Sequence, residues 1–566
     1  MTTSLKKNRY FLSIPLVAIF AVAPIVSKAQ ILAQTAFETL LNQATAEGGV
    51  NGVKFIDSAS IKDFYVRRGG QPLWADRAQA QMVLGVLDEA WTQGLNPQKY
   101  HVQALHGLID DAGKFGTEEA RADLILTDAV IRYGYDVSGM RLNPAAIDQR
   151  AQYWRQPEKA AQILKLLENS TEPARLVAAM APHDSLYSLL RKEMVRVSRE
   201  GAAYDSVLPM KFGRTYFHPH GRSKAVPALR MRLGVKYEPR NGKEDYYDDR
   251  LAAAVMAFQR QHNLKPDGII GGETLALLNQ SRRQRMEQLV ANLERLRWLD
   301  QNIPARYVLV NIPSQTLWAV EDGKVAFKMP VVVGKPDRPT HTFRADIIGI
   351  RFNPTWTVPM GIKVKDMLPQ LQEDPNALAD KGIDIMEDGE SIDPSSIDWQ
   401  NISRSELNHI RMVQSAGDHN ALGRIRVLMP NEFDIYLHDT NHPEFFNLVE
   451  RTASSGCIRL SQPEQMARFV LAHNKGWSDK KMNALIARGT TSEVPVADKL
   501  PVYIIYQTLW KADDGTLIYG PDVYGEDKRL VSALSAINGY ILPDIQIGSI
   551  MGDKGIPETP ALASAR

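Results

Sequence analysis

Residues 433–439, FDIYLHD, and 454–460, SSGCIRL, decide the fold and chemistry of the last third of the chain. The first segment has the composition of a β-strand, in which alternation places Tyr436 and His438 on one face. The second holds Cys457, the only cysteine in 566 residues. A lone thiol is either a small buried residue or a nucleophile kept free for chemistry. The preceding glycine and the histidine-bearing strand favour the nucleophile.

The two segments also resemble a known signature. IYLHDT (435–440) followed by SSGCIRL is similar to the active-site motif of the L,D-transpeptidases, cysteine enzymes that cross-link peptidoglycan. The usual motif has glycine after the histidine and a second histidine two residues before the cysteine. This chain has Asp439 and Ser455 there, and large multi-domain Gram-negative members similarly carry Ser-Ser-Gly-Cys. Papain-like and related wall endopeptidases differ, because their cysteine precedes the histidine.

The resemblance assigns roles to the residues of both segments. Cys457 is expected to attack a peptide carbonyl, and His438 to take the thiol proton and return it to the leaving amine. Asp439 is expected to orient the imidazole through its main-chain carbonyl. The amides of Gly456 and Cys457 are expected to hold the oxyanion, with Tyr436 as an added donor. The helix that follows the motif should favour the thiolate.

Substrate contacts are expected around the same motif. Arg459 either binds a carboxylate of the donor stem or ties loops together, and Ser454 and Ser455 are predicted to bind substrate. His438 and His442 have His-x-x-x-His spacing, but they leave a strand, so no helix aligns them for a metal. No metal and no cofactor are predicted.

By resemblance, the donor is a tetrapeptide stem cut between the L-centre of diaminopimelate and the terminal D-alanine. Attack by a side-chain amine of a neighbouring stem then gives a 3–3 cross-link. The alternatives are an L,D-carboxypeptidase or cross-link-cleaving enzyme, transfer to a wall-anchored lipoprotein, and an inactive wall-binding scaffold. Intact Cys457 and His438 argue against the last. Carbapenems inhibit this family by acylating the cysteine.

The N-terminus has the layout of an export signal. Basic residues (Lys6, Lys7 and Arg9) precede an apolar run over 10–26 and the small residues of 27–29. Residues 1–29 are therefore predicted to be a signal peptide or an inner-membrane anchor, and the protein to be periplasmic. One cysteine means that ordinary cores, not disulfides, stabilise the exported chain. The net charge of +2 gives no argument for nucleic acid.

Apolar periodicity predicts the domain order. Helical spacing over 80–91 and 124–133 indicates an N-terminal helical domain, which resembles the scaffold domain of large L,D-transpeptidases. The run FQRQHNLKPDGIIGGET (258–274) resembles the three-helix peptidoglycan-binding module, which implies glycan strands as partners. Its matched residues are expected to hold the module's own fold. From Tyr307 the period becomes two, which indicates β-structure.

The predicted fold class is multi-domain α+β, with a β-rich catalytic domain that carries an inserted capping subdomain. The interval before the His438 strand is too long for a simple β connection, so we expect the insert to fold over the cleft. The predicted divisions are a helical scaffold domain at 31–200, the peptidoglycan-binding module at 222–280, a linker helix at 281–300, the catalytic domain at 301–527 with the insert at about 360–413, and a C-terminal tail at 528–566.

Overall fold

The computed structural model describes residues 28–110, 117–147, 154–168, 170–200, 208, 216–238 and 243–542. The predicted export segment lies outside this part of the chain, apart from the start of a helix at Lys28. Within the described residues, no helix combines the length and the apolar character that a membrane span requires. Helical, three-helix and β-rich parts follow one another, so the predicted α+β fold class is confirmed.

The N-terminal part is helical, and aspartates cap several of its helices. The elements are α1 (Lys28–Glu47), β1 (Gly49–Val50), β2 (Val53–Lys54), α2 (Ser58–Arg67), α3 (Arg77–Asp88), α4 (Val102–Asp110), α5 (Thr117–Val137), α6 (Ala160–Glu168), α7 (Pro173–Ala178) and α8 (Ser185–Ser198). Asp57, Asp76 and Asp184 accept hydrogen bonds from first-turn amides of α2, α3 and α8. Gly94, with φ of 69°, ends the turn after α3.

The small module contains α9 (Val226–Arg232), α10 (Asp249–Gln261) and α11 (Gly272–Leu278). Gln259 is buried, accepts a hydrogen bond from the Gly268 amide (2.8 Å) and donates one to the Ile269 carbonyl (2.9 Å). Gly268 has φ of +71°, which a glycine adopts without strain. These pattern residues therefore hold the module's own fold, as the sequence predicts.

Helix α12 (Arg282–Trp298) is not a linker, contrary to the prediction for 281–300. Its polar residues Asn292 and Glu294 are as buried as its leucines. Glu294 accepts hydrogen bonds from Arg141 Nε (3.0 Å) and Arg297 Nη1 (2.7 Å). The amphipathic pattern predicts that the polar face of this helix contacts water. In the structure, hydrogen bonds to residues distant in sequence take the place of water. Helix α12 is thus a central helix of the helical domain.

The β-rich domain is built on one mixed sheet. Its strands, with those of the insert and the C-terminal hairpin, are β3 (Tyr307–Asn311), β4 (Thr316–Glu321), β5 (Lys324–Gly334), β6 (Phe343–Phe352), β7 (Trp356–Thr357), β8 (Ile383–Glu387), β9 (Glu390–Ser391), β10 (Arg411–Gln414), β11 (Ile425–Leu428), β12 (Leu437–His438), β13 (Thr452–Ser454), β14 (Ile458–Leu460), β15 (Ser492–Ile505), β16 (Leu509–Lys511) and β17 (Leu517–Tyr519). The sheet has the order β13-β5-β14-β12-β11-β6-β15-β3-β4. Strand β4 also pairs with β5, so the sheet closes on itself.

The segment predicted as the insert has its own sheet and its own core. Its sheet has the order β7-β10-β8-β9, and its helices are α13 (Met360–Ile362), a π-helical turn (Lys363–Met367), α14 (Leu368–Glu373) and α15 (Arg404–His409). Trp399 is buried in this core, and its indole donates a hydrogen bond to the Pro394 carbonyl (2.8 Å). The insert is therefore a compact subdomain, which we call the insert below.

The C-terminal part corrects the predicted tail at 528–566. After α16 (Pro463–Leu471) and α17 (Asp479–Ala487), the chain forms the β16–β17 hairpin and α18 (Glu526–Ala536). Leu530 and Leu534 of α18 are buried in the core of the helical domain, together with Leu509 and Tyr519 of the hairpin. These apolar residues complete a core most of whose members lie hundreds of positions earlier, which local patterning does not reveal. Residues 543–566 lie outside the described part.

Candidate active site

Three neighbouring strands bring a histidine and two arginines into one row. Strand β12 pairs antiparallel with β11, where His438 lies opposite Arg426, and parallel with β14, where His438 lies opposite Arg459. Residues in register on adjacent strands project to the same face of a sheet. Cys457 directly precedes β14, so the nucleophile loop, residues 454–457, enters beside this row. The parallel β12–β14 pairing is what joins the two segments of the sequence motif.

The nucleophile loop is held by hydrogen bonds from both sides. Thr340 Oγ1 donates to the Gly456 carbonyl (2.8 Å), and Ser454 Oγ donates to the Cys457 carbonyl (2.5 Å). Gly456 has φ of +114°, a conformation that glycine alone adopts readily. Its amide donates to Ser454 Oγ (3.2 Å), an acceptor that the predicted oxyanion would have to replace. Among the described residues, the Cys457 amide donates to no acceptor and remains open.

His438 is buried and held in a defined orientation. Its Nδ1 lies 2.5 Å from the main-chain carbonyl oxygen of Asp439, which accepts the Nδ1 proton, and the imidazole has a further hydrogen bond with the backbone of Leu422. The Asp439 carboxylate turns away and accepts the amides of Arg424 (2.8 Å) and Thr440 (2.7 Å). Burial, together with the positive charge of Arg459, lowers the pKa of His438 to about 3. The imidazole is therefore neutral at physiological pH.

The Cys457 thiol is neutral at rest as well. Burial raises its pKa, and a hydrogen bond from the Tyr436 amide and the charges of Arg426 and Arg459 act in the opposite sense. Desolvation outweighs the attractive charges here, whereas the sequence led us to expect that the helix α16 favours the thiolate. The thiol donates to the Asp434 carbonyl (3.8 Å), and thiol and imidazole are both uncharged groups near two cations.

Arg426 was not found from the sequence. Its guanidinium carbon lies 3.5 Å from the centre of the Tyr436 ring, while that of Arg459 lies 5.3 Å from the centre of the Phe445 ring. The Nε atoms of both arginines are buried, and no hydrogen-bond acceptor meets them in the described part of the chain. Arg459 does contact Thr440, with 3.4 Å from Nη1 to Oγ1. The sequence did offer one indication of a functional role, because Arg426 is the only charged residue in the apolar strand β11.

Three parts of the chain match known protein families. Residues 305–504 match the family model described as an L,D-transpeptidase catalytic domain. We call the matched part of the chain, which is similar to this family, the transpeptidase domain. Residues 59–194 match a model described as a scaffold domain, and residues 223–278 one described as "Putative peptidoglycan binding domain". The family resemblance seen in the sequence is thereby confirmed.

Several similar proteins are described as L,D-transpeptidases. A "Putative L,D-transpeptidase" of Haemophilus influenzae is 33% identical over 245 residues, which are 43% of this chain and 49% of that protein. The chain thus spans about half the length of this curated relative. Solved L,D-transpeptidases from Mycobacterium smegmatis (15% identity, 36% of this chain, 58% of that one) and L,D-transpeptidase 3 of Mycobacterium tuberculosis (16%, 36% and 61%) each have a TM-score of 0.18. These scores lend no support to the fold.

The two serines predicted to bind substrate make hydrogen bonds within the transpeptidase domain. Ser454 is buried, and its hydroxyl donates to the Cys457 carbonyl and accepts from the Gly456 amide. Ser455 is exposed, and its Oγ accepts a hydrogen bond from Arg338 Nη1 (3.1 Å). Ser454 therefore shapes the nucleophile loop, and Ser455 connects it to a neighbouring loop.

His442 lies away from the His438 row in the transpeptidase domain. Its Nδ1 contacts Glu444 Oε1 at 2.9 Å on the surface. In the part of the chain that the structure describes, no three histidine, cysteine or acidic residues are grouped to hold a metal ion.

Proposed function

We propose that the protein is an L,D-transpeptidase that forms 3–3 peptidoglycan cross-links through a Cys457 acyl-enzyme on tetrapeptide stems. One observation carries the proposal. The parallel pairing of β12 with β14 sets the carbonyl-held His438 beside the strand that Cys457 opens, with the Cys457 amide free. A nucleophile, an oriented base and an oxyanion donor are the groups that acyl transfer needs.

The first half of the reaction follows from the uncharged resting pair. As Sγ attacks the carbonyl of the diaminopimelate L-centre, the thiol proton moves to Nε2 of His438. The tetrahedral oxyanion is held by the Cys457 amide. Collapse forms a thioester, breaks the bond to D-alanine, and transfers the proton from His438 to the leaving amine. Because imidazolium is disfavoured by burial, it forms only while the oxyanion balances it.

The second half reverses the roles. A side-chain amine of an acceptor stem attacks the thioester and gives up a proton to His438, which returns it to the Cys457 sulfur. The product is an amide between two stems, and the thiol is regenerated. Water as acceptor would make the protein a carboxypeptidase, and a lipoprotein amine would make it an anchoring enzyme.

We further propose that Arg426 and Arg459 bind a carboxylate of the donor stem. Each guanidinium faces the site of Cys457 closely enough to influence its ionisation, and each keeps a buried Nε without an acceptor. Buried cationic donors are stabilised when an anion completes their hydrogen bonds. The proposal places the protein in the periplasm, where peptidoglycan stems are found, with the N-terminal segment as signal or anchor.

Incubating the full chain with purified tetrapeptide stems, followed by mass spectrometry, tests this function. Cross-linked dimer with loss of D-alanine supports the proposal. Tripeptide alone assigns a carboxypeptidase, and no product even with lipoprotein acceptor peptides assigns an inactive scaffold. Cys457→Ser is the matched control, because it retains the site's shape and lacks the thiol.

A further inference from the structure

One arginine joins the insert to the nucleophile loop. Arg338 lies in the loop between β5 and β6, residues 335–342, which we call the bridging loop. Its guanidinium forms a two-pronged ion pair with Asp366 of the insert, with 2.7 Å from Nη2 to Oδ1 and a second contact from Nη1 to Oδ2. The same Nη1 donates to Ser455 Oγ (3.1 Å), two residues before Cys457. Paired arginine–carboxylate contacts fix orientation as well as distance.

Asp366 is presented by a firmly anchored piece of the insert. It belongs to the π-helical turn 363–367, and π-helical turns within α-helices are frequent at functional sites. Lys363, at the start of this turn, is buried and donates hydrogen bonds to the carbonyls of Leu407 (3.3 Å) and Ile410. The turn is thus tied to the insert's own core, so a movement of the insert would move Asp366 with it.

The bridging loop in turn sets the conformation of the nucleophile loop. Thr340 donates to the Gly456 carbonyl (2.8 Å), and the Lys335 amide donates to the Ser454 carbonyl (3.0 Å). In a planar trans peptide the carbonyl and the following amide point in opposite directions. Holding the Gly456 carbonyl towards Thr340 therefore aims the Cys457 amide the other way, as an open donor.

We propose that Arg338 is a positioning residue that couples the docking of the insert, through Asp366, to the orientation of the Gly456–Cys457 peptide. The inference rests on the proposed function, in which the Cys457 amide stabilises the oxyanion. Docking of the insert completes the oxyanion site, so acylation is fast only while Arg338 bridges Asp366 and Ser455. An undocked insert leaves Cys457 present but its amide misaligned.

Substitutions at the two ends of the ion pair test the coupling by kinetics. Asp366→Asn and Arg338→Ala should each lower kcat for acylation by stem peptide about 10- to 100-fold with little change in KM, because orientation in the transition state is lost. The double variant should lose no more than either single one. The swap Arg338→Asp with Asp366→Arg should recover part of the rate. Arg468→Ala, which breaks an exposed 2.9 Å pair with Asp479 in the same domain, should change neither constant.

Hydrogen–deuterium exchange gives a readout that does not depend on turnover. Asp366→Asn lies in the insert, yet it should speed amide exchange in the peptide covering 452–460, whereas Arg468→Ala should not. Failure of the wild type to process stems would refute the proposed function and leave this test intact. Unchanged exchange and unchanged kcat in Asp366→Asn would overturn the coupling, as would a rise in KM alone. If Asp366→Asn does not fold, Ser455→Ala, which removes the other end of the bridge, takes its place with the same criteria.

Discussion

Arginine charges are met in different ways in two regions of this molecule, by fully buried Arg297 in the helical domain and by half-buried Arg426 and Arg459 in the transpeptidase domain. In the helical domain, Arg297 is fully buried and donates to Glu294 Oε2 (2.7 Å), to the Tyr187 hydroxyl (3.2 Å) and to the Gln93 carbonyl. Each of its nitrogens has a partner within the protein. The arginine is therefore a finished part of the core.

In the transpeptidase domain, Arg426 and Arg459 are only partly satisfied. Within the described residues, no carboxylate lies within 4.0 Å of either guanidinium, and both Nε atoms lack an acceptor. Both side chains are half-buried against aromatic rings, and withdrawing a cation from water without an anionic partner costs free energy. The contrast is between an arginine whose nitrogens all have partners in the core and a pair for which we propose a carboxylate ligand. Substitution of Arg297 should therefore change the free energy of unfolding, whereas substitutions around Arg426 and Arg459 should change turnover or KM.

The largest effect on turnover is expected from substitution of Cys457. Cys457→Ser should lower turnover by roughly 10^4-fold or more, because a hydroxyl ionises far less readily than a thiol. The free energy of unfolding should stay unchanged. Mass spectrometry should show one carbapenem adduct on the wild type and none on the variant. An adduct on the variant would move the chemistry to another residue.

The completed arginine should show the reverse behaviour. Arg297→Met leaves Glu294 buried with one partner fewer, so the free energy of unfolding of the helical domain should fall by about 3–5 kcal/mol. Urea denaturation followed by circular dichroism measures this loss, with exposed Arg468→Met as control. Turnover of the remaining folded protein should be retained. A loss below about 1 kcal/mol, the level of a surface pair, would break the comparison.

Arg426→Gln should raise KM for the tetrapeptide donor about 10- to 100-fold, the value of a charge-assisted hydrogen bond. The free energy of unfolding should change little, because the lost contact with the Tyr436 ring is offset by the removal of a half-buried charge that has no carboxylate partner. A donor amidated at its carboxylates provides the sharper test. The wild type should bind the amidated donor weakly, and the variant should lose little further. Equal losses on amidation in both proteins would show that Arg426 does not contact a carboxylate.

The resting protonation state gives the smallest expected effect. With the pKa of Cys457 raised and the pKa of His438 lowered to about 3, no thiolate–imidazolium pair exists at neutral pH. Alkylation of this single thiol by iodoacetamide should therefore rise about tenfold per pH unit through the neutral range. It should keep rising past the pH at which free cysteine levels off. A plateau below pH 7 would indicate an ion pair instead.

Sequence reasoning found what local patterns encode. The order of His438 and Cys457, the carbonyl of Asp439 beside the imidazole and the turn at Gly268 all follow from short motifs and alternation. It missed Arg426 and Arg338, since each acts through partners on other strands or loops. It did not reveal that the Gly456 amide donates to Ser454 Oγ, because a motif does not show which local acceptor an amide finds.

The same limit explains the errors about the helices. Helix α12 looks amphipathic because Glu294 and Asn292 are polar, yet both are buried against residues far away in sequence. Helix α18 looks like part of a tail because its few leucines have no local partners. Whether a polar face or a short apolar stripe is buried depends on the whole fold. The helical period of 3.6 residues carries no information about contacts that are distant in sequence.

The return of α18 to the helical core has a consequence for synthesis on the ribosome. Helices α1–α8 leave the ribosome first, but their core also needs α12 and then Leu530 and Leu534 near the other end. The transpeptidase sheet, complete at Ile505, is therefore fully synthesised before the domain that precedes it can close. Synthesis of the helical domain thus begins before that of the transpeptidase sheet and ends after it. Until α18 is made, we expect the unfinished helical domain to be sensitive to proteases and to depend on chaperones.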